Sequence, residues 1–138
     1  MKTFKLKSLH ILERENECVV SKKIPLIDGL IIDREDEKSR WIVEAFTTND
    51  FLSYFKSKKE QGEMIIQVKI SKESNDPATF ITSLIQLTEI SHKISVLFMG
   101  TIVDQQISNI QEKLQQLIED GYDDRGLSEM FKQLALNN

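Results

Sequence analysis

Residues 78–103 read ATFITSLIQLTEISHKISVLFMGTIV. The run is dense in Ile, Thr, Val, Leu and Phe and contains no proline, which is the composition of β-structure. It is too long for one strand of ordinary length. Ser91-His92-Lys93 is its most turn-like tripeptide, so the stretch predicts a long hairpin over roughly 79–90 and 94–103. A hairpin of that length cannot stand alone in water, and it commits the chain to a larger sheet.

Immediately after it, at Asp104, the pattern changes. Val103, Ile107, Ile110, Leu114 and Leu117 fall at helical spacing, with Asp104 placed to cap the helix start. Gly121 suits the end of that helix, and Asp123 and Asp124 favour the start of another. Leu127, Met130, Phe131 and Leu134 then form a second apolar stripe. The expectation is an αα-hairpin over 104–138, attached to a β-rich body over 1–103. Its narrow stripes require docking, either on the body or on a partner chain. The candidate interaction residues are Ile107, Ile110, Leu114, Leu117, Leu127 and Phe131.

Upstream, the short apolar runs read as further strands. Phe4 and Leu6 point one way and Leu9 and Ile11 continue in the other phase, so a bulge is expected near Ser8. Residues 13–17 are charged and turn-like, and Cys18-Val19-Val20 opens a second strand. Asp28-Gly29 reads as a turn between Pro25-Leu26-Ile27 and Leu30-Ile31-Ile32. Residues 33–40 form a charged loop. Trp41-Ile42-Val43-Glu44-Ala45-Phe46 is apolar on nearly both faces, as a central strand should be. Thr47-Thr48-Asn49-Asp50 offers caps for a short helix over about 50–60, stopped by Gly62. Ile66, Val68 and Ile70 give the next strand one clean apolar face. Six to eight strands in about 100 residues predict a mainly β (α+β) fold: an antiparallel barrel with one short inserted helix, then the helical hairpin.

Bulk properties narrow the classes. The 138 residues suffice for one domain with a real core, and 40% hydrophobic with 29% charged residues is ordinary for a globular protein. Residues 1–103 carry 15 basic and 15 acidic residues, whereas 104–138 carry 3 basic and 7 acidic ones. The net charge of −4 therefore sits on the tail, which would repel a polyanion, and no nucleic-acid partner is expected. A single cysteine, Cys18, excludes an intrachain disulfide. With neither a signal-peptide stretch nor a membrane-length apolar run, the expected location is cytoplasmic.

Chemical motifs are missing. The glycines at 121 and 126 have phosphate-loop spacing, but Leu127-Ser128 stands where lysine is required. His10, His92 and Cys18 share no metal-ligand spacing. The acidic run at 33–37 lacks the alternation of a calcium loop and is interleaved with Arg34, Lys38 and Arg40. Lys56, Lys58 and Lys59 follow Phe51, Tyr54 and Phe55, which could suggest base stacking, although aromatics packed on the core explain them better. No catalytic, cofactor or metal residue is assigned.

Three strings carry a family resemblance: Met1-Lys2-Thr3-Phe4-Lys5-Leu6, Ile24-Pro25-Leu26-Ile27-Asp28-Gly29-Leu30-Ile31-Ile32, and Trp41-Ile42-Val43-Glu44-Ala45-Phe46. They resemble the YwpF-like family of small bacterial proteins. The resemblance implies an N-terminal β-barrel, similar to the Hcp-type barrels of type VI secretion, followed by a C-terminal helix pair. A likeness of barrels does not transfer a secretion role, and the family supplies no catalytic residues to carry over. The first functional expectation is a non-enzymatic interaction or assembly protein, self-associating through a barrel rim or the helix pair. The alternative is a small-ligand-binding barrel with weak enzymatic activity, motivated by Phe80, Leu84, Leu97, Phe98 and Met99.

Overall fold

The computed structural model describes residues 1–16, 18–103, 115, 116, 118 and 119. Seven strands follow in chain order: β1 (Lys2–Glu15), β2 (Cys18–Ile24), β3 (Asp28–Asp33), β4 (Arg40–Thr48), β5 (Glu63–Ile70), β6 (Ala78–Ile90) and β7 (Lys93–Ile102). A 3-10 turn (Asn49–Phe51) leads into helix α1 (Leu52–Gln61) between β4 and β5. All pairings are antiparallel. Six strands, in the order β1-β3-β4-β7-β6-β5, close into a barrel through the β1–β5 pairing.

The length of β1 makes closure possible. Its start, Lys2–Lys5, pairs with β3, while Leu9–Glu15 pair with β2. The opposite edge pairs with β5, and its register shifts between Leu6 and Ser8. That is the bulge expected from the phase slip, and the extra residue bends the strand around the wall. A second shift lies between Leu84 and Gln86 in the β6–β7 hairpin. β2 stands beside the closed ring, joined to it through β1 alone among the described strands.

The interior is filled by one apolar cluster. Leu9, Ile31, Val43, Ile66, Phe80 and Phe98 represent the six wall strands in it, and Phe55 enters from α1. A barrel of only six strands has a bore narrow enough for side chains to fill. Phe55 is wholly buried and meets Phe98 edge-on at a centroid distance of 6.1 Å, so α1 plugs one barrel end. Neither start of this helical segment has a side-chain cap bond, although the sequence offers Thr48 and Asn49 for one. Packing holds the helix instead, and Gly62 ends it at φ +97°.

Three expectations need correction. Asp28-Gly29 is not a turn: both residues belong to β3, and residues 25–27 only connect β2 to it. Gly29 is required there because a Cβ would come within 2.8 Å of Leu6 Cδ2 and 3.0 Å of the Glu44 carbonyl oxygen. The charged run at 13–17 is mostly strand, since β1 continues to Glu15. The αα-hairpin is not supported: within 104–138 only 115, 116, 118 and 119 are described, in one helical stretch.

Candidate interaction surface

Two places on the barrel concentrate unusual contacts: the plugged end and the outer wall beside β2. At the plugged end Glu13 continues the inward phase of Leu9 and Ile11 and meets α1. The Tyr54 hydroxyl donates to Glu13 Oε2 at 2.9 Å, and Lys58 Nζ approaches the same oxygen at 2.6 Å. Lys22 Nζ lies 4.3 Å from the Tyr54 ring centroid. Burial, then the hydrogen bond to Glu13 and its charge, push the Tyr54 phenol well above the usual tyrosine range. A neutral phenol, a paired carboxylate and a paired ammonium do not form an activated nucleophile. They fasten the plug to β1.

The outer wall is more informative. Leu12, Ile65 and Ile81 lie side by side across β1, β5 and β6, while the neighbouring row Ile11, Ile66 and Phe80 belongs to the interior cluster. Successive residues of a strand face opposite sides of the sheet, so Leu12, Ile65 and Ile81 face outward. They are nevertheless only 3%, 1% and 8% exposed. Thr79 is also buried; its hydroxyl accepts from Gln67 at 3.1 Å and its carbonyl accepts the Val103 N–H at 2.8 Å. The wall here is apolar on both faces.

The described tail residues meet this region. The backbone N–H of Val19 on β2 donates to Gln115 Oε1 at 2.9 Å, although the two are 96 positions apart. Ile118, one helical turn further on, is 7% exposed. His10 stands nearby: burial, then the ammonium groups of Lys23 and Lys69, hold it below its ordinary pKa against the opposing charge of Glu73. Cys18, at the start of β2, is exposed.

The six candidate residues Ile107, Ile110, Leu114, Leu117, Leu127 and Phe131 all lie outside the described residues. The residues of interest that sequence reading missed are Gln115, Ile118, Leu12, Ile65 and Ile81. A signal for the last three existed: Ile11-Leu12, Ile65-Ile66 and Phe80-Ile81 put apolar residues on consecutive positions, hence on both faces. His92 is exposed at the hairpin turn, and His10 is mid-strand on the wall. In the charged loop, Asp36 pairs with Arg40 at 2.9 Å and with Arg34 at 3.6 Å. Among the described residues no group of three or more His, Cys, Asp or Glu is arranged to hold a metal ion. No helix among them is long and apolar enough to cross a membrane.

Comparison with known proteins agrees with this architecture. The solved crystal structure of a hypothetical protein from Staphylococcus aureus superposes with a TM-score of 0.69 at 27% identity, covering 97% of this chain and 92% of that one. The uncharacterized protein YwpF of Bacillus subtilis (strain 168) is 35% identical over 134 residues, which is 96% of this chain and 98% of that protein. The family model described as YwpF-like protein matches residues 2–134. With nearly the whole length matched and the barrel in place, the chain belongs to the YwpF-like family.

Proposed function

We propose that the protein is a non-enzymatic interaction and assembly protein whose working surface is the outer wall of β1, β5 and β6 together with the C-terminal segment. The observation that carries this reading is the outward row Leu12, Ile65 and Ile81, buried although it faces away from the interior. Apolar side chains on the outside of a barrel are there to be covered. The interior favours the same reading over a ligand-binding barrel. It is packed with apolar side chains from every wall strand, and no ionisable residue is among the fully buried described residues. A bore packed with apolar side chains suits a small molecule less well than a cleft with placed polar groups does. The partner we favour is a second copy of this chain.

The test is triple alanine substitution at Ile107, Ile110 and Leu114. Size exclusion with light scattering reads association, and thermal denaturation reads docking within one chain. On this reading at least one changes, because docking an aliphatic side chain contributes about 1.5–3 kcal/mol. If neither moves, the segment is not part of a working surface. A thermal-shift screen against metabolites, nucleotides and divalent metals tests the ligand-binding alternative, which predicts stabilisation by at least one of them.

A further inference from the structure

Four polar side chains meet on the outer face where β2, β1 and β5 run side by side. The bulge after Leu6 turns two of them there. Leu6 and Leu9 both belong to the interior cluster, so the extra residue between them moves Ser8 and His10 to the outer face. Lys23 on β2 stands directly opposite His10, and Lys69 on β5 directly opposite Ser8. Such partners have Cβ atoms about 4.5–5.5 Å apart, and the diagonal from His10 to Lys69 is about 7–8 Å, within reach of a long side chain. The charges of both lysines act on His10, with that of Glu73 opposing them. Ser8 is 7% exposed, and its Oγ is buried with no hydrogen-bond partner within the protein. Among the described residues it is the one buried side-chain polar atom so placed. A buried hydroxyl that donates to nothing is costly, and such a group calls for a cause. Lysines cover most protein surfaces, but an unpaired buried donor among them points to a ligand.

We infer that Ser8, His10, Lys23 and Lys69 form a site for a small oxyanion of the phosphate class, either free or as the end group of a phosphate monoester. The two ammonium groups supply charge and several N–H donors. The Ser8 hydroxyl donates to one oxygen of the anion. The His10 imidazole donates one N–H when neutral and adds a positive charge when protonated. Glu73, on the loop after β5, subtracts one charge. Lys23 and Lys69 less Glu73 leave one net positive charge with His10 neutral and two with it protonated. Burial and the lysines disfavour that proton, and a bound anion offsets them, so binding and protonation assist each other. The buried Oγ also limits size. An anion reaches it only by coming close against the strands while Lys69, half-buried beside it, turns aside. A compact tetrahedral group suits that approach. The site is separate from the row Leu12, Ile65 and Ile81 and does not rest on that row being a working surface.

Sulfate is the first probe, because it keeps both negative charges throughout the histidine range, so any pH dependence comes from the protein. It is titrated into the isotope-labelled full chain at constant ionic strength, with chloride as the reference anion and nuclear magnetic resonance as the readout. Saturable shifts are expected, centred on Ser8, His10, Lys23 and Lys69. Affinity should rise about tenfold from about pH 7.5 to about pH 5.5, as one cation is added beside a dianion. Shifts that chloride reproduces, or that spread over the surface without saturating, overturn the site. Ser8→Ala separates ligand from structure. Sulfate should bind it about tenfold more weakly, while its stability in urea stays the same or rises, because an unpaired buried hydroxyl has gone. Unchanged affinity makes Ser8 a structural residue and overturns the assignment. Lys69→Gln should weaken binding about fivefold and Glu73→Gln should strengthen it by a similar factor. Affinities equal to that of the wild type in both also overturn it. Inorganic phosphate and glycerol phosphate then distinguish the sources. Tighter binding of the ester marks a site for the end group of a larger molecule, and equal or weaker binding marks a site for the free anion.

Discussion

Phe55→Ala tests whether α1 is a structural plug or a decoration on the barrel. The Phe55 ring is wholly buried and sits edge-on to Tyr54 at 5.1 Å and to Phe98 at 6.1 Å. Truncation removes the apolar burial and leaves a void at the end of a narrow bore. Core Phe→Ala changes cost about 3–5 kcal/mol. Two aromatic contacts, worth about 0.5–1.5 kcal/mol each when well oriented, place this one toward the upper part of that range. Against the usual unfolding entropy per residue, a chain of 138 residues should lose about 14–17 °C of Tm. Urea unfolding followed by far-UV circular dichroism and by Trp41 fluorescence gives the same quantity at 25 °C. Phe51→Ala is the internal control: that ring is half-buried and touches Tyr54 only at 6.4 Å, so its loss should cost less than half as much. Equal, small losses of about 1 kcal/mol for both variants, the scale of an ordinary substitution, would mean that α1 does not close the barrel.

Other outcomes follow from single contacts. Gly100→Ala should destabilise strongly in urea, because its Cβ would lie within 1.9 Å of the Ile81 carbonyl oxygen, backbone against backbone; Gly62→Ala meets open space and should cost only the strain of φ +97°, about 1–3 kcal/mol. Ile65→Ala on the outer wall should cost about 2–5 kcal/mol in the same assay, as a core position does, whereas Ile85→Ala at the bulge, 41% exposed, should stay within about 0.5 kcal/mol. Tyr54→Phe should weaken the protein at neutral pH by loss of the bond to Glu13 and flatten its alkaline unfolding. The folded phenol has a raised pKa, so its contribution is complete below the unfolded value near 10 and is lost as pH rises beyond it. Stability titrations from pH 8 to 11 check the sign: a wild-type slope no steeper than that of the variant contradicts it.

Local signals suffice for most of the fold because antiparallel neighbours in sequence are neighbours in space. The hairpin around Ser91-His92, the central strand at 40–48 and the helix after Thr48 all follow from composition and turn residues within a few positions. The bulge after Leu6 is visible as a phase slip. Asp28-Gly29 misleads because a glycine required by close approach of Leu6 and Glu44 looks the same in sequence as one required by a turn. The capping residues before α1 likewise resemble a working cap, yet packing of Phe55 decides that helix. Closure through the β1–β5 pairing joins residues some sixty positions apart, and no local pattern encodes it.

The outer wall shows the same limit from the functional side. Alternation says which residues of a strand face together, but it does not say which face is inside. At Ile65-Ile66 both faces are apolar, and only closure of the barrel assigns Ile66 to the interior and Ile65 to the wall. Once that assignment is made, the interior is packed by apolar side chains from all six wall strands. The remaining apolar surface, the edge of β2 and the Gln115 contact then fall on one side of the molecule. The proposed working surface rests on the outward members of the apolar pairs: Leu12, Ile65 and Ile81. Substituting them one at a time by Asn in the full chain tests that they are covered. Each should lower stability in urea by about 2–5 kcal/mol, as loss of a buried aliphatic side chain does, and a change within about 0.5 kcal/mol, the scale of an exposed position, would mean that the outer row is bare.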